Sequence, residues 1–155
     1  MKILMVCLGN ICRSPLAEGI LTQKLHSAGY KVLVDSAGTG GWHAGESPDK
    51  RSIKVARDRG IEISHQRARK VNKEDLVSFD LIFAMDQKNF ADLLQLAENE
   101  HRHKIHLFLE FAGLGTKDVP DPWYGNESDF VNVFNLLEKA SNQAFQRIVN
   151  ECIKK

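Results

Sequence analysis

The chain has 155 residues, of which 26% are charged, and its formal net charge at pH 7 is +1. That length is enough for one domain with a sizeable core, so we expect residues 1–155 to form a single domain. The small net charge favours neither nucleic acid nor anionic membranes, and no apolar stretch is long enough to span a bilayer.

Cysteine usage and the N-terminal residues predict the compartment. Three cysteines are an odd number and do not form the framework of a disulfide-rich secreted protein. The first residues lead directly into an apolar run and lack the pattern of a cleavable signal peptide. We therefore expect a reducing, cytoplasmic location, which a thiol nucleophile also requires.

The first apolar run, residues 3–6, predicts a strand, and helical spacing of apolar residues follows over residues 15–28. Ser14 is a good N-cap for this helix, and Pro15 suits its first turn. The short segment between the two elements begins with the thiol of Cys7 and therefore forms a strand-to-helix loop.

This loop has the chemistry of an anion cradle. Gly9 permits a close turn, and Asn10 tolerates an unusual backbone conformation. Backbone N–H groups that precede a helix N-terminus point inward, and Arg13 can bind phosphate through two parallel hydrogen bonds. The same positive field favours an ionised Cys7, so the C-x5-R-S pattern predicts covalent phosphoryl transfer through a phosphocysteine. A buried structural Cys7 is the alternative, but it leaves the coincidence of these residue types unexplained.

The rest of the chain alternates between strand and helix patterns. Further strands are predicted over residues 31–36, 80–84 and 105–109. Helices are predicted over residues 48–59, with Ser47 as the cap before Pro48, and over residues 73–78, 87–97 and from 127 onward, with caps at Asn72, Asp86 and Asn126. Consecutive apolar residues in these strands are typical of parallel strands that are covered on both faces. The pattern predicts an α/β fold whose ligand binds beyond the carboxyl ends of the strands.

Expulsion of an alkoxide or phenoxide from phosphorus requires a proton, so a carboxylic acid must stand opposite the thiolate. The long loop 112–126 contains two candidates, Asp118 and Asp121. Pro120 and Pro122 restrict the backbone on both sides of Asp121. The residues alone leave an acid and an ordinary Asp-Pro turn equally favoured for Asp121.

Short segments that cover nearly the whole chain in order form a specific combination: 7–15, 17–18, 35–39, 42–45, 48–49, 84–86 and 121–125. Together they resemble the motifs of the low-molecular-weight protein tyrosine phosphatases. The resemblance implies a three-layer, flavodoxin-like, doubly wound fold. Its four-stranded parallel sheet would have the order 2-1-3-4, with helices on both faces. It also implies hydrolysis of phosphotyrosine and small aryl phosphates without a cofactor, and it selects Asp121 as the acid.

The loop itself supplies the predicted phosphate contacts, which come from Leu8, Gly9, Asn10, Ile11, Cys12, Arg13 and Ser14. The Ser14 hydroxyl can also donate to the sulfur of Cys7. Asn10 would hold the loop in shape, and the resemblance implies that Ser36 and a histidine support it. For that histidine the chain offers His65 or, at the expected position, Gln66.

The pocket walls are expected to select the substrate. Trp42, Trp123 and Tyr124 lie on the two candidate rim loops, and Leu8 and Ile11 would form the floor and side. A deep aromatic slot favours phosphotyrosine over phosphoserine, although aromatic residues more often simply pack. Some relatives act on phosphoarginine and carry Thr in place of Ile11, so Ile11 favours phosphotyrosine.

Two other groups of residues have side chains that are capable of redox or metal chemistry. Cys12 can capture an oxidised Cys7 as a disulfide and protect it from further oxidation. Cys152 lies in the last helix, where we expect it to be only a core or surface residue of the protein. His101 and His103 cluster without the cysteines or acids that complete a zinc site, so we expect no metal.

Three hypotheses for function remain open at this point. The first is a phosphatase whose partners are phosphotyrosine-containing proteins, not nucleic acid or membranes, and which is a monomer with at most weak self-association. The second is a protein arginine phosphatase or an arsenate reductase on the same scaffold. The third is a non-catalytic phosphate-binding module or a redox switch that uses Cys7 and Cys12.

Overall fold

The computed structural model describes residues 1–153 of the chain. The strands are β1 (Lys2–Cys7), β2 (Leu33–Gly38), β3 (Leu81–Ala84) and β4 (Ile105–Leu107). The α-helices are α1 (Arg13–Ser27), α2 (Lys50–Arg57), α3 (Lys73–Ser78), α4 (Gln87–Leu96), α5 (Phe108–Phe111) and α6 (Glu127–Arg147). A 3₁₀ segment, Asn99–Lys104, precedes β4, and a π-helical turn, Ile148–Cys152, continues α6.

The four strands form one parallel sheet with the order β2-β1-β3-β4, which confirms the predicted topology. Strand β1 therefore lies between β2 and β3, so the strand order reverses beside it. Its last residue, Cys7, pairs with Gly38 at the end of β2. The thiol thus stands at the carboxyl edge of the sheet where the strand order reverses, which is where such folds bind ligands.

Helices cover both faces of the sheet, so the three-layer arrangement is also confirmed. The period-two alternation of β1 places Ile3, Met5 and Cys7 in one apolar cluster with α1 and α6. Leu4 and Val6 belong to the opposite cluster, which includes residues of α3 and α4. Cys7 therefore packs within the larger of the two apolar clusters that cover the sheet.

The start of α2 differs from the prediction of a Ser47 cap followed by Pro48. The cap is Asp49, whose Oδ1 accepts a hydrogen bond from Arg51 N at 2.8 Å. Asp49 N in turn donates to Ile11 O at 2.8 Å. This bond holds Asp49 against the loop after β1, in the cap position that precedes the helix. The helix consequently begins two residues later than the Ser-Pro pair predicts.

Two strands also depart from the predicted pattern. Strand β4 ends at Leu107 instead of residue 109, because Phe108 and Phe111 turn into α5 and pack against Phe83 with ring centroids 5.2 and 4.7 Å away. Leu33 begins the edge strand β2 and is 54% exposed, so this strand is not covered on both faces along its whole length.

Within residues 1–153, no helix combines the length and apolar character that crossing a membrane requires.

Candidate active site

The segment between β1 and α1, which we call the phosphate loop (residues 7–14), is shaped by Asn10. This residue has a φ of 58°, the left-handed conformation that asparagine tolerates better than most residues. Its Nδ2 donates to Ser14 Oγ at 2.8 Å, and its Oδ1 accepts from Arg69 N at 3.0 Å. Gly38 lies directly against the loop, since a Cβ there would come within 2.7 Å of Leu8 O. The side chain of Asn10 and the closely packed backbone of Gly38 therefore fix the shape of the loop.

Cys7 is 2% exposed and lies at the floor of this loop. Its Sγ is 3.0 Å from Ser14 Oγ and accepts a hydrogen bond from Asn10 N at 3.3 Å. Because the Ser14 hydroxyl already accepts from Asn10 Nδ2, its own proton is free to point at the sulfur. Two donors therefore converge on Cys7, an arrangement that stabilises a thiolate.

This contact also explains why Ser14 is not the helix cap that the sequence predicts. Helix α1 begins at Arg13, and its N-cap residue, Cys12, makes no side-chain capping hydrogen bond. The Ser14 side chain instead turns into the loop, where Cys7 and Asn10 engage it. The first turn of α1 leaves its backbone N–H groups free of a capping side chain, which suits an anion.

Arg13 is almost fully buried and held in a defined orientation. Its Nη1 donates to Asp86 Oδ2 at 2.6 Å and to Val119 O at 3.0 Å, while Nη2 lies 3.6 Å from Asp121 Oδ2. Burial alone would lower the pKa of Arg13, but the nearby Cys7 and the hydrogen bond to Asp86 raise it above its ordinary value. The guanidinium is a permanent, oriented cation beside the thiol.

The two candidate acids occupy different environments. Asp121 lines the pocket, and its Oδ1 accepts from Trp123 N at 3.1 Å. Asp118 Oδ1 instead accepts from Gln87 N at 2.9 Å, which ties it to the start of α4. Asp121 therefore lies on the pocket wall, whereas the carboxylate of Asp118 is engaged by the backbone at the start of α4.

These groups surround a cavity of about 170 Å³. All five predicted pocket residues line it, and its lining consists of Cys7, Leu8, Gly9, Ile11, Cys12, Arg13, Trp42, His43, Asp121, Trp123 and Tyr124. Trp42 and Tyr124 are 72% and 96% exposed, so they form a rim that is open at its outer end. An aromatic ring is the kind of group that could enter between them.

His43 is a pocket residue that sequence reasoning missed. Its ring centroid lies 5.8 Å from that of Trp123, and its Nδ1 is 2.8 Å from Glu46 Oε2. The available signal was its place directly after Trp42 on the predicted rim loop.

The predicted support of Asn10 by Ser36 is not what the structure has. Ser36 Oγ donates to Glu18 Oε1 at 2.8 Å, because this side chain faces α1 from β2. Burial raises the pKa of Glu18 to about 7. The backbone N–H of Arg69 takes the expected supporting position at Asn10, and the Arg69 guanidinium is fixed by Asp35 and Asp75.

The choice between His65 and Gln66 is resolved against both as partners of Asn10, which bonds to Arg69 and Ser14. Gln66 is buried and its Nε2 donates to Pro15 O at 3.1 Å, so it supports the first turn of α1. His65 is exposed.

The remaining predicted groups concern thiols and metals. Cys7, Cys12 and Cys152 are all free thiols. Burial, together with the charge of Asp49, raises the pKa of Cys12, so this thiol stays neutral. In the part of the chain that the structure describes, no group of three or more His, Cys, Asp or Glu side chains is placed to hold a metal ion.

A thiol that receives two hydrogen bonds, an oriented guanidinium and a carboxyl group converge on one pocket at the switch point of a parallel sheet. This combination defines the class of phosphate-binding α/β proteins with a cysteine nucleophile. A model of the family described as low molecular weight phosphotyrosine protein phosphatase matches residues 2–154. The chain belongs to this family.

Individual proteins resemble the chain over nearly its full length. A putative low molecular weight protein-tyrosine-phosphatase of Synechocystis is 40% identical, with 99% of each chain covered. The low molecular weight phosphotyrosine protein phosphatase of Schizosaccharomyces pombe is 42% identical over 95% of this chain and 96% of its own length. A crystal structure of a protein tyrosine phosphatase from Entamoeba histolytica superimposes with a TM-score of 0.93 at 37% identity, covering 99% of both chains.

Proposed function

We propose that this protein hydrolyses phosphotyrosine in proteins, and small aryl phosphates, through a phosphocysteine intermediate. The observation that carries the proposal is the position of Cys7 Sγ, 3.0 Å from Ser14 Oγ and 3.3 Å from Asn10 N at the floor of a pocket that Arg13 also lines. These contacts favour the thiolate, which is the nucleophilic form of cysteine. Phosphoproteins are the substrate class of the family to which the chain belongs.

In the first step the thiolate of Cys7 attacks phosphorus, and an S–P bond forms as the bond from phosphorus to the phenolic oxygen breaks. The phosphate oxygens bind the loop N–H groups and the fork of Arg13, whose cation offsets their charge. The electron pair of the broken bond goes to the phenolic oxygen, which takes a proton from the Asp121 carboxyl group.

In the second step a water molecule attacks the phosphocysteine, and Asp121, now ionised, accepts a proton from that water. The S–P bond breaks and its electron pair returns to Cys7, so inorganic phosphate is released with the thiolate restored. The Ser14 hydroxyl stabilises the departing sulfur as charge develops on it.

The pocket supports an aryl phosphate over an alkyl one. A phosphate at the floor, against Cys7, leaves its ester group between the aromatic side chains of Trp42 and Tyr124 at the rim. Ile11 is 7% exposed and gives the pocket an apolar side instead of a polar one. Both features favour a planar phenyl ring over the charged guanidinium of phosphoarginine.

The proposal also includes a cytoplasmic location and a monomeric state. A thiol nucleophile requires a reducing compartment, and free cysteines are consistent with one. Sedimentation at several protein concentrations, and fractionation of the source cells, would test these two points.

The decisive experiment compares the wild-type protein with Cys7→Ser in reducing buffer that contains a chelator. We expect the wild type to hydrolyse p-nitrophenyl phosphate and a phosphotyrosine peptide, and Cys7→Ser to be inactive but to retain bound phosphoproteins. Rapid acid quenching followed by mass spectrometry of the wild type should find the phosphoryl group on Cys7. Hydrolysis that survives Cys7→Ser, or that requires added metal, would overturn the proposal, and faster turnover of phosphoarginine peptides would change the assigned substrate.

A further inference from the structure

Arg51, in the first turn of α2, bonds to the turn that carries the candidate acid Asp121, which we call the acid loop (residues 120–125). Its Nη2 donates to Trp123 O and its Nη1 donates to Gly125 O, both at 3.2 Å. Its guanidinium carbon also lies 4.3 Å from the ring centroid of Phe130 and 5.7 Å from that of Trp123. The side chain therefore contacts the acid loop and the start of α6 through several different interactions.

Arg51 is itself held in place by Asp49. Its Nε and Nη2 donate to the two carboxylate oxygens of Asp49, each at 3.0 Å, which is the bidentate geometry that fixes a guanidinium plane. Asp49 N donates to Ile11 O at 2.8 Å, and Ser52 Oγ donates to Cys12 O at 3.3 Å. The start of α2 is thus anchored to the phosphate loop and carries Arg51 at a defined distance from it.

The acid is connected to Arg51 through one residue. Trp123 N donates to Asp121 Oδ1 at 3.1 Å, and Trp123 O accepts from Arg51. Among the described residues, the hydrogen bonds that tie residues 120–125 to other segments of the protein come from Arg51. Arg13 Nη2, 3.6 Å from Asp121 Oδ2, and the ring of His43 also contact this turn, but Arg51 is the side chain that hydrogen-bonds to its backbone carbonyls.

We infer that Arg51 is a positioning residue that sets the reach of the Asp121 carboxyl group toward the leaving oxygen, by holding the Trp123 and Gly125 carbonyls relative to the phosphate loop. The inference rests on the proposed function, in which Asp121 donates the proton. Arg51 does not line the pocket and touches no reacting atom. Its loss should therefore weaken protonation of the leaving group and leave phosphate binding intact.

The test is the dependence of kcat/KM on the leaving group, because this parameter reports the formation of the phosphocysteine. Arg51→Met removes the donors and keeps the aliphatic bulk, while Arg51→Lys keeps the charge without the fork. We expect Arg51→Met to lower kcat/KM by about 10²-fold for phenyl phosphate and phosphotyrosine, as expected for an acid displaced by about 1 Å. For 2,4-dinitrophenyl phosphate, whose leaving group needs no proton, kcat/KM should stay near the wild-type value, and inhibition by inorganic phosphate should be unchanged. For Arg51→Lys we expect kcat/KM on phenyl phosphate to lie between the values of Arg51→Met and the wild type.

Arg59→Met is the matched control. Arg59 follows α2, donates to Val55 O and has its guanidinium carbon 4.9 Å from the Phe134 ring, so its loss removes a similar contact to α6 without touching the acid loop. We expect this variant to show the wild-type dependence on the leaving group. The same steepening in Arg59→Met, or an equal loss for all leaving groups in Arg51→Met, would overturn the inference.

A double-mutant cycle separates positioning from general destabilisation. If Arg51 acts through Asp121, then adding Arg51→Met to Asp121→Asn should cause no further loss on phenyl phosphate. Full additivity of the two losses would overturn the inference. Failure of the proposed function is a different result, since it would appear as activity in Cys7→Ser.

Discussion

The hydroxyl of Ser14 lies 3.0 Å from the sulfur of Cys7 and accepts a hydrogen bond from Asn10 Nδ2. The amide donor on one side leaves the hydroxyl proton directed at the sulfur. A serine at the start of a helix ordinarily caps it, but here the same side chain stabilises negative charge on a buried thiol.

Ser14→Ala should therefore slow the release of sulfur from phosphorus. A hydrogen bond to a charged group contributes about 1.5–3 kcal/mol, so phosphocysteine hydrolysis should slow by roughly 10- to 100-fold. Rapid-quench measurements with p-nitrophenyl phosphate should show an initial burst of nitrophenol followed by a lower kcat. Ser141→Ala is the matched control, because Ser141 is equally buried and its hydroxyl has no hydrogen-bond partner among the described residues. An unchanged kcat in Ser14→Ala would contradict the role.

Asp121→Asn should remove the proton donor while it preserves the hydrogen bond from Trp123 N. General acid catalysis contributes about 10²- to 10⁴-fold, so kcat/KM should fall by this factor for phenyl phosphate and much less for 2,4-dinitrophenyl phosphate. Asp118→Asn is the control, since that side chain is bonded to Gln87 N and stands apart from the pocket. A larger loss in Asp118→Asn, or an equal loss for both substrates in Asp121→Asn, would reassign the acid.

Much of the fold could be predicted because each signal was local. Apolar runs marked the strands, and Asn72, Asp86 and Asn126 cap their helices as their positions predict. The strand order came from the resemblance, and the sheet confirms it. The errors arose where a distant partner overrides a local preference: Asp49 replaces Ser47 as a cap because its N–H bonds to Ile11 across the chain.

In the candidate site, too, the features with a local sequence signal were predicted and those that depend on distant residues were not. Cys7, Arg13 and Asp121 stand in recognisable motifs, and the structure brings them to one pocket. The contacts of Ser14 with Cys7 and Asn10, which lie within the loop, agree with the prediction. The supporting contacts from outside the loop could not be predicted, because they join residues that are far apart in sequence. Arg69 bonds to Asn10 through its backbone N–H, which any residue other than proline could supply and which leaves no mark in the sequence.

Arg13→Lys tests whether the geometry of the cation matters beyond its charge. An ammonium at this position can still pair with Asp86, but it cannot present two parallel donors to phosphate at the same time. Loss of a charge-assisted hydrogen bond should raise the inhibition constant of inorganic phosphate by about 10- to 100-fold. Arg59→Lys, a change of the same type away from the pocket, should leave this constant unaltered. Equal inhibition of Arg13→Lys and the wild type would exclude bidentate binding.

Cys12→Ser tests the predicted redox protection of the nucleophile. Peroxide converts Cys7 to a sulfenic acid, which the Cys12 thiol can capture as a disulfide with release of water. Both thiols are free and buried within the same loop. Burial and the charge of Asp49 raise the pKa of Cys12, so the capture should be faster at alkaline pH, because the thiolate is the attacking form. Wild-type activity should return after treatment with a reducing thiol, whereas Cys12→Ser should stay inactive as Cys7 oxidises further. Cys152→Ser should recover like the wild type, and equal recovery of Cys12→Ser would reject the role.

Glu18 should make the stability of the protein depend on pH. Burial raises the pKa of this carboxyl group from 4.5 to about 7, and the Asp35 charge adds to the increase, although the Ser36 hydroxyl and Arg69 oppose it. Between these two pH values the native protein holds a proton that the unfolded chain has released. The free energy of unfolding should therefore fall as pH rises through this window and level off above it.

Glu18→Gln removes this titration and keeps an oxygen that can accept from Ser36 Oγ. Since one pKa unit corresponds to about 1.4 kcal/mol, the variant should gain up to about 3 kcal/mol over the wild type at pH 8 relative to pH 5. Urea unfolding at a series of pH values measures the difference, and the exposed Glu138→Gln supplies the control. Parallel stability curves for Glu18→Gln and the wild type would show that Glu18 is ionised throughout. In that case the contact between α1 and β2 would contain a buried charge that Ser36 and Arg69 stabilise.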